Sequence, residues 1–356
     1  LPLFQINGQA GTSTLLSVSA TSTIFGRNTA FTINNGAGVN SLFIDSNGNV
    51  GVGTTSPTER FTVNGNAQVN GKFSAGFAAW AQVATGTAIS TVGVPALIDL
   101  NSTDVAYVDA TNDELRTYRR FNSDAAAWAQ VGTSTAISTI TTPVLAALNS
   151  TDVAFVDATN DQLRTYRRFN SDAAAWAQVG NSFDLQALTA PELAGLNSTD
   201  VAFLDTTTDQ LRTYRFNGTN WSQVGASTTI SSVGNIFSIT ALNSTDIAFI
   251  DQVNEQLRTY RFDGTNWTQV GNSLSFTDTF TGPRLATLNG TDIAFIDDEK
   301  EELRTYRFDG TNWSQVGTSF GISGILSIAI TGLNGTDIAY IDSTNDDLRT
   351  YNFSNT

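Results

Sequence analysis

Three short motifs recur six times each along the chain, and this repetition constrains the fold more than any other feature. The motifs are Leu-Arg-Thr-Tyr, Leu-Asn-(Ser/Gly)-Thr-Asp and Trp-x-Gln-Val, and each returns after 45 to 48 residues. A period of this length indicates a repeat architecture in which each unit packs against the next. The Leu-Arg-Thr-Tyr segments begin at Leu115, Leu163, Leu211, Leu257, Leu303 and Leu348, and the tryptophans are Trp80, Trp128, Trp176, Trp221, Trp267 and Trp313.

Each unit is predicted to contain four short strands. In the unit that ends at Val270, an apolar stretch reaches Leu242, and Ile247–Ile250, Leu257–Phe262 and Trp267–Val270 follow it, separated by turn residues. Ile247–Ile250 is apolar on both faces, as an inner strand between two neighbouring sheets requires. Helical repeats are excluded because no unit has apolar residues at i, i+3, i+4 and i+7. The sequence therefore predicts an all-β fold, a six-bladed β-propeller with four-stranded blades.

The turn between the first two strands of each unit contains Asn-Ser or Asn-Gly. Asn-Gly occurs at Asn289 and Asn334. It is the dipeptide that a tight hairpin prefers, so we expect tight hairpins at these turns.

The two ends of the repeat region complement each other. The strand at Trp80 precedes every Leu-Asn-x-Thr-Asp motif, and no Trp strand follows the sixth Leu-Arg-Thr-Tyr. Pairing of the strand at Trp80 with the strand at Thr350 would complete the sixth blade and leave no open edge. We therefore expect a closed propeller at residues 77–356, preceded by a β-rich stalk or assembly segment at residues 1–76.

Residues 1–76 have a different composition, rich in Gly, Asn, Ser and Thr. Segments 41–57 and 60–71 resemble stalk segments of phage tail fibres and of large bacterial surface proteins, chiefly through Asn-Gly-Asn-Val-Gly-Val-Gly-Thr at residues 47–54. In those proteins such stretches precede a globular head and often take part in assembly. Short strands with few apolar residues need a partner. We expect residues 1–76 to join copies of the chain into a homo-oligomer or fibre, with a small independent β-domain as the alternative.

The order of motifs within a unit resembles the blades of six-bladed fucose lectins. It runs Ile-Ala-Phe, Leu-Arg-Thr-Tyr, Phe-Asp-Gly-Thr-Asn-Trp. Those lectins hold sugar between blades with an Arg, a Glu and an aromatic residue, so the resemblance implies glycan binding. An apolar residue stands at the position of the family's Arg, and Thr117 and its equivalents stand at that of its Glu. We expect the repeated Trp and Tyr to pack within the blades rather than to stack on sugars.

The charge of the chain argues against nucleic acid and membranes as partners. Its formal net charge is −15, and its only lysines are Lys72 and Lys300. Phosphate backbones and anionic lipid surfaces both attract basic surfaces. The sequence contains no apolar run of about 18 residues, so no membrane insertion is expected. It also contains no Met, and a removed signal peptide would fit an extracellular or cell-surface location.

The sequence offers little for catalysis. It has neither His nor Cys, which excludes Ser-His and Cys-His nucleophile pairs. Carboxylate pairs remain, but the Asp residues recur at turns in every unit, whereas a single active site would break the repeat at one place. The Arg residues of the six Leu-Arg-Thr-Tyr segments are expected to pair with nearby Asp. We therefore expect no enzymatic activity and no catalytic residues.

One segment has part of the pattern of a calcium loop. Asp45, Asn47 and Asn49 provide oxygens at positions one, three and five, but Ser56 stands at position twelve, where a bidentate acid is required. Turn formation explains the same residues. Calcium is thus the only candidate cofactor, with these three residues as its candidate ligands.

The Asn-x-Ser/Thr pattern of N-glycosylation occurs eleven times. The same residue types also favour turns. The candidate glycosylation sites are Asn101, Asn149, Asn197, Asn217, Asn243, Asn266, Asn289 and Asn334.

These features favour a non-enzymatic surface, fibre or filament subunit that displays a propeller for adhesion or structure. The alternative is a carbohydrate-binding lectin or the receptor-binding head of a phage tail fibre. The expected partners are other copies of the chain and, for the alternative, glycans.

Overall fold

In the computed structural model the chain divides into two compact units, Leu1–Ser74 and Ala75–Thr356. The structure describes residues 31–33, 42–64, 79–89, 93–109, 111–121, 128–137, 142–157, 159–169, 175–186, 188, 190–230, 238–277, 282–322, 328–342 and 344–354. Every regular element within these ranges is a β-strand. The same ranges hold no helix of the length and apolarity that a membrane span needs.

The first unit contains one sheet of four three-residue strands. β1 (Phe31–Ile33), β2 (Leu42–Ile44) and β3 (Val50–Val52) are antiparallel neighbours, and β4 (Phe61–Val63) runs parallel to β3. Side chains of β2, β3 and β4 are mostly only partly buried, and Phe61 is 59% exposed. This sheet therefore contributes little core of its own.

The second unit contains six antiparallel sheets, each built largely from one repeat. Sheet 6 also takes in the first strand of the unit, β5 (Ala79–Ala88). Sheet 1 contains β6 (Pro95–Asp99), β7 (Asp104–Asp109), β8 (Glu114–Arg120), β9 (Trp128–Gln130) and β10 (Thr135–Ala136). Sheet 2 contains β11 (Val144–Ala147), β12 (Asp152–Asp157), β13 (Gln162–Arg168) and β14 (Trp176–Asp184). Sheet 3 contains β15 (Glu192–Gly195), β16 (Asp200–Asp205), β17 (Gln210–Phe216) and β18 (Trp221–Thr229). Sheet 4 contains β19 (Ile239–Ala241), β20 (Asp246–Asp251), β21 (Gln256–Phe262), β22 (Trp267–Gln269) and β23 (Leu274–Ser275). Sheet 5 contains β24 (Arg284–Thr287), β25 (Asp292–Asp297), β26 (Glu302–Phe308) and β27 (Trp313–Gly321). Sheet 6 contains β28 (Ile328–Gly332), β29 (Asp337–Asp342), β30 (Asp347–Ser354) and β5.

Sheet 6 joins the first and last strands of the unit. β5 is antiparallel to β30, with Trp80 opposite Phe353 and Val83 opposite Thr350. The order of motifs in the sequence predicts this pairing, and the structure confirms it. The outer edge of β30 is therefore covered by a strand that lies more than 250 residues earlier in the chain.

The core lies between consecutive sheets. The second strands β12, β16, β20 and β25 are buried at all six positions, because a neighbouring sheet covers each face. Six apolar clusters each combine residues of two consecutive sheets. One cluster packs Tyr107 and Trp128 of sheet 1 against Ile341 and Leu348 of sheet 6.

The fourth strand of sheets 2, 3 and 5 is bent at a glycine that follows the Trp-x-Gln-Val segment. Gly180, Gly225 and Gly317 have φ between 71° and 74°, and the register against the third strand shifts nearby. In sheets 1 and 4 the strand is interrupted instead, which separates β9 from β10 and β22 from β23. A positive φ suits glycine because it has no Cβ, so these glycines permit the bulge.

The Asn-Gly turns form hairpins, as predicted, because β24 pairs with β25 and β28 pairs with β29. These hairpins are not of the two-residue type that Asn-Gly favours. Neither Gly290 nor Gly335 has a positive φ, which a two-residue hairpin of that type requires. The turn is held by the Asn side chain instead. In sheet 5, Asn289 Oδ1 accepts hydrogen bonds from the backbone N–H of Thr291 and of Asp292, each at 2.9 Å. Such an Asx turn works equally well with Ser or Gly at the next position.

Candidate functional site

The six tryptophans lie between sheets, with 2–5% of their surface exposed. In five of them the indole Nε1–H donates to a threonine hydroxyl of the preceding sheet. The predicted packing role is confirmed, because rings buried this way cannot present a face to a sugar. The pairs are Trp128 with Thr350 at 3.0 Å, Trp176 with Thr117 at 3.0 Å, Trp221 with Thr165 at 3.0 Å, Trp267 with Thr213 at 3.0 Å, and Trp313 with Thr259 at 2.9 Å.

The sixth pair of this series is not bonded. Trp80 Nε1 and Thr305 Oγ1 are both buried, and neither has a hydrogen-bond partner among the residues that the structure describes. Thr305 lies on β26 at the position of Thr117 on β8, so it is the residue that Trp80 would reach by analogy. Thr117 and its equivalents in the other sheets are at most 1% exposed.

The Arg residues of the Leu-Arg-Thr-Tyr segments pair with acidic residues of their own sheet, as predicted. In sheet 4, Arg258 Nη2 lies 2.8 Å from Asp251 Oδ2, and this Asp is completely buried. Arg116 pairs with Glu114 at 2.6 Å. The remaining pairs are Arg164–Asp157, Arg212–Asp205, Arg304–Asp297 and Arg349–Asp342.

A second set of ion pairs fixes the start of the second strand. In sheet 4, Arg261 donates from Nε and Nη2 to the two carboxylate oxygens of Asp246, each at 2.7 Å. Burial alone would raise the pKa of Asp246, but hydrogen bonds from Arg261, Asn243 and Thr245 and the charge of Arg261 lower it below its usual value. The equivalent pairs are Asp104–Arg119, Asp152–Arg167, Asp200–Arg215 and Asp292–Arg307.

Two buried arginines were not anticipated as a distinct feature. Arg120 and Arg168 lie opposite the Trp of their sheet, where sheets 3 to 6 carry Phe. Arg168 Nη1 donates to Asp104 of sheet 1 at 2.8 Å, and Arg120 Nη1 donates to Asp337 of sheet 6 at 2.9 Å. These ion pairs therefore connect neighbouring sheets. The sequence distinguishes these two repeats from the others by a second Arg after the Tyr, at Arg120 and Arg168.

The first strands of the six sheets line one cavity of about 630 Å³. These inner strands are β6, β11, β15, β19, β24 and β28. Their residues are mostly apolar or small, and among the lining residues that the structure describes only Asp99, Glu192 and Arg284 carry charge. These three residues break the repeat, because no other sheet has the same residue at that place. The cavity is therefore the candidate site, and sequence reasoning missed it.

Two glycines allow the inner strands to approach each other closely. A Cβ on Gly195 would collide with the carbonyl oxygen of Ala147, and a Cβ on Gly332 with that of Thr287. Elsewhere side chains connect the strands. Thr331 Oγ1 donates to Asp99 Oδ1 at 2.8 Å, which links sheet 6 to sheet 1.

Both carboxylic acids of the cavity have raised pKa values. Glu192 keeps a small accessible area towards the cavity, but protein surrounds its carboxyl group, and this loss of solvent raises its pKa to about 8 against the opposing charge of Arg284. Burial likewise raises the pKa of Asp99, although the hydrogen bond from Thr331 opposes the shift. At neutral pH Glu192 is therefore mostly uncharged.

The candidate calcium ligands form a turn. Asp45 Oδ1 accepts the backbone N–H of Asn47 and of Asn49, each at 2.8 Å. The described ranges contain no group of three or more His, Cys, Asp or Glu side chains arranged to hold a metal ion. Calcium binding at Asp45, Asn47 and Asn49 stays a prediction.

The candidate glycosylation sites lie in turns at one end of the sheets. The Oδ1 atoms of Asn101, Asn149, Asn197, Asn243, Asn289 and Asn334 each accept the N–H two residues later at 2.8–2.9 Å. Asn217 and Asn266 are exposed in the turn before the fourth strand. The side-chain oxygen thus has a structural role at most of these sites, and their glycosylation stays a prediction.

Comparison with known proteins supports the fold alone. No protein-family model matches the sequence, and no curated protein does. Among solved structures, the β-propeller domain of Cps50 (Swd1) from Myceliophteria thermophila aligns with a TM-score of 0.50 and 9% identity, over 76% of this chain and 100% of that one. A functionally unknown protein from Desulfotomaculum acetoxidans aligns with a TM-score of 0.50 and 12% identity, over 72% of this chain and 81% of that one. The chain is thus an all-β protein of repeated four-stranded sheets that is similar in fold to β-propeller domains.

Proposed function

We propose that residues 77–356 form a closed six-bladed β-propeller that serves for display or adhesion. Pairing of β5 with β30 supports closure. The hydrogen bond from Trp128 to Thr350 and the ion pair of Arg120 with Asp337 also support it, because each joins sheet 1 to sheet 6. Pairing of β5 also covers the edge of β30, which would otherwise be open to edge-to-edge aggregation.

We propose that the protein is not an enzyme because its repeated polar side chains bind one another within each sheet. The Asp residues that open and close each second strand accept hydrogen bonds from Arg side chains of the same sheet, as Asp246 does from Arg261 and Asp251 from Arg258. Asp and Arg side chains that are paired in this way hold the strands in register. They are poorly placed to act on a substrate, since a catalytic acid or base must reach the substrate itself.

We further propose that residues 1–76 join copies of the chain into a homo-oligomer or fibre outside the cell or on its surface. Two observations support this part. The described strands of the first unit are three residues long and mostly only partly buried, and Phe61 is 59% exposed. Such a sheet gains stability from a partner. The resemblance to stalk segments of tail fibres and bacterial surface proteins points the same way.

Electron microscopy and sedimentation of the full chain test this proposal. We expect oligomers or fibres for the full chain and a monomer for residues 77–356, with ring-shaped particles of six-fold appearance. A full chain that sediments as a monomer at high concentration would contradict the assembly proposal. Images of open arcs would contradict closure.

Glycan binding is the second candidate function, as in a lectin or a receptor-binding head of a tail fibre. Phe121 and Phe169 favour it, because they are 65% and 64% exposed at equivalent positions of sheets 1 and 2. Sugars commonly stack on exposed aromatic rings in carbohydrate sites. A glycan array with the full chain and with a Phe121→Ser, Phe169→Ser variant tests this idea. A selective signal that disappears in the variant would support it, and silence of both proteins would contradict it.

A further inference from the structure

One position of the inner strands is polar in three of the six sheets and apolar in the other three. It lies four residues before the Leu of each Leu-Asn motif, and in sheets 1 to 6 it carries Ala96, Val144, Glu192, Ser238, Arg284 and Ala329. The polar residues follow one another in sheets 3, 4 and 5, while the apolar ones follow one another in sheets 6, 1 and 2. This level of the cavity therefore has a polar half and an apolar half.

Glu192 is the exceptional residue of the polar half. Ser238 supports the fold, because its hydroxyl accepts the backbone N–H of Leu285 at 2.8 Å. The carboxyl group of Glu192, in contrast, makes no hydrogen bond with any residue that the structure describes. This carboxyl group is therefore able to accept hydrogen bonds from a molecule in the cavity. Small residues at the same position of sheets 1 and 6 indicate that the fold itself does not need it.

Once Glu192 is ionised, the charged lining residues that the structure describes favour a cation over an anion. Two carboxylic acids, Glu192 and Asp99, face the cavity, against one arginine. Arg284 Nη1 donates to the carbonyl oxygens of Gly282 and Pro283 at 3.4 and 3.2 Å, so its guanidinium is also held by its own backbone. The net charge of −15 draws cations towards the protein as a whole.

We propose that this cavity binds a small organic cation, with a primary ammonium group paired to Glu192 and an apolar chain packed against Ala96, Val144 and Ala329. An ammonium group has three N–H donors, and the carboxylate of Glu192 can accept hydrogen bonds from them. The apolar half of the cavity takes the chain, as in other pockets that combine apolar walls with a few polar groups. This inference does not depend on the display proposal.

The pairing has a defined pH dependence. Asp99 and Arg284 are the other charged groups that line the cavity. Free Glu192 is mostly protonated at pH 7, because burial raises its pKa to about 8. The cation binds the ionised form, so binding at pH 7 releases about one proton per ligand. Affinity therefore rises as the pH increases from 6 towards 9.

Calorimetric titration of the full chain with n-butylammonium chloride tests the proposal. We expect binding at pH 7, proton release seen as a dependence of the heat on the buffer, and no comparable binding of n-butanol. Glu192→Gln should weaken binding at least about tenfold and abolish the proton release. Glu299→Gln changes an exposed Glu of the same unit and should leave binding unchanged. Thermal unfolding of both variants verifies that they fold.

Three results would overturn the proposal. The first is no heat of binding with the wild-type chain. The second is equal binding by wild type and Glu192→Gln, which would place the ligand elsewhere. The third is preference for n-butyrate over n-butylammonium, which would make Arg284 the recognition group and the ligand an acid.

Discussion

Six acidic residues adopt a backbone conformation that usually favours glycine. Asp113, Asp161, Asp209, Glu255, Glu301 and Asp346 have φ between 51° and 54°. Each lies in the turn between the second and third strands, and its carbonyl oxygen accepts a hydrogen bond from the end of the fourth strand, as in Asp209 O with Ile230 N–H at 2.9 Å. A left-handed residue with a Cβ costs about 1 kcal/mol, so the hydrogen bond and the surrounding sheet must hold the turn.

The indole hydrogen bonds lead to a prediction for single threonines. Thr117→Val keeps the shape of the side chain but leaves the buried Nε1–H of Trp176 without its acceptor. We expect a loss of about 1–3 kcal/mol in the free energy of unfolding, measured by denaturant titration. Thr305→Val is the matched control, because Thr305 Oγ1 has no partner to lose. Equal losses in the two variants would show that the hydrogen bond is not the cause.

Glu192 should make stability fall as the pH rises. Its folded pKa of about 8 lies above its unfolded value, so the folded state holds a proton that the unfolded state has already lost between about pH 4.5 and 8. Stability therefore declines as pH rises through this window. Glu192→Gln should flatten the decline in melting temperature over this range. An unchanged pH profile would mean that Glu192 ionises normally.

The arginine that follows Tyr on each third strand stabilises the pair formed by the second and third strands. Asp246 and Arg261 stand opposite each other in the register of β20 and β21, and their bidentate bond closes that end of the hairpin. Sheet 6 differs, because Asn352 takes the place of the Arg and donates to Asp337 at 2.6 Å. Asp337 receives its positive partner from sheet 1 instead, through Arg120.

Removal of these Asp residues should have unequal effects in different sheets. Asp104→Ala leaves the side chain of Arg168, only 3% exposed, without its carboxylate. We expect a loss of about 3–5 kcal/mol. Asp200→Ala leaves Arg215, whose side chain is 52% exposed, and we expect about 1 kcal/mol or less. Chemical denaturation of both variants measures the difference, and similar losses would contradict the role of burial.

Acid should weaken the same hairpins. Burial raises the pKa of Asp104, Asp152, Asp200, Asp246 and Asp292, but hydrogen bonds and Arg charges outweigh it and lower each pKa. A lowered folded pKa gives stability that is present above the unfolded value near 4 and is lost as the pH falls through the folded values. Wild-type stability should thus drop steeply below about pH 4, and fluorescence-detected acid unfolding measures it.

The contacts between sheets 1 and 6 matter most for the molecule as a whole. They include an apolar cluster, the hydrogen bond of Trp128 with Thr350 and the hydrogen bond of Thr331 with Asp99. The strand β5 adds to them, because the backbone N–H of Trp128 donates to Thr87 Oγ1 at 3.1 Å. Within sheet 6, Trp80 is 3% exposed and packs on Phe353 with ring centroids 5.1 Å apart. These contacts are all formed between residues far apart in the sequence.

Deletion of residues 77–84 should therefore destabilise the second unit. The variant loses a buried Trp, worth about 1.5–3 kcal/mol, and exposes the edge of β30 to pairing with other chains. We expect a lower melting temperature and increased light scattering. A chain that lacks residues 1–8 instead, the same number of residues, is the control. Equal behaviour of both deletions would contradict the role of β5.

The sequence by itself determined the local architecture of the second unit. The repeat period, the turn residues and the pattern of apolar side chains are properties of neighbouring residues. They sufficed to predict the strand at Ile247–Ile250 and the pairing of Arg258 with a nearby Asp. The incomplete repeats at the two ends sufficed to predict the pairing of β5 with β30. The Asn-Gly turns form the predicted hairpins, but the sequence did not show that a side-chain oxygen, and not a positive φ, holds them.

Only the tertiary structure decided which residues meet between sheets. Trp176 reaches Thr117 and Arg168 reaches Asp104, at separations of 59 and 64 residues, and no periodicity specifies such a contact. Glu192 and Arg284 look like ordinary exposed charges in the sequence. They line one cavity because of the way the six inner strands pack, and the same packing raises the pKa of Glu192 through burial. Desolvation depends on how the whole unit packs, and for that reason no local pattern could reveal it.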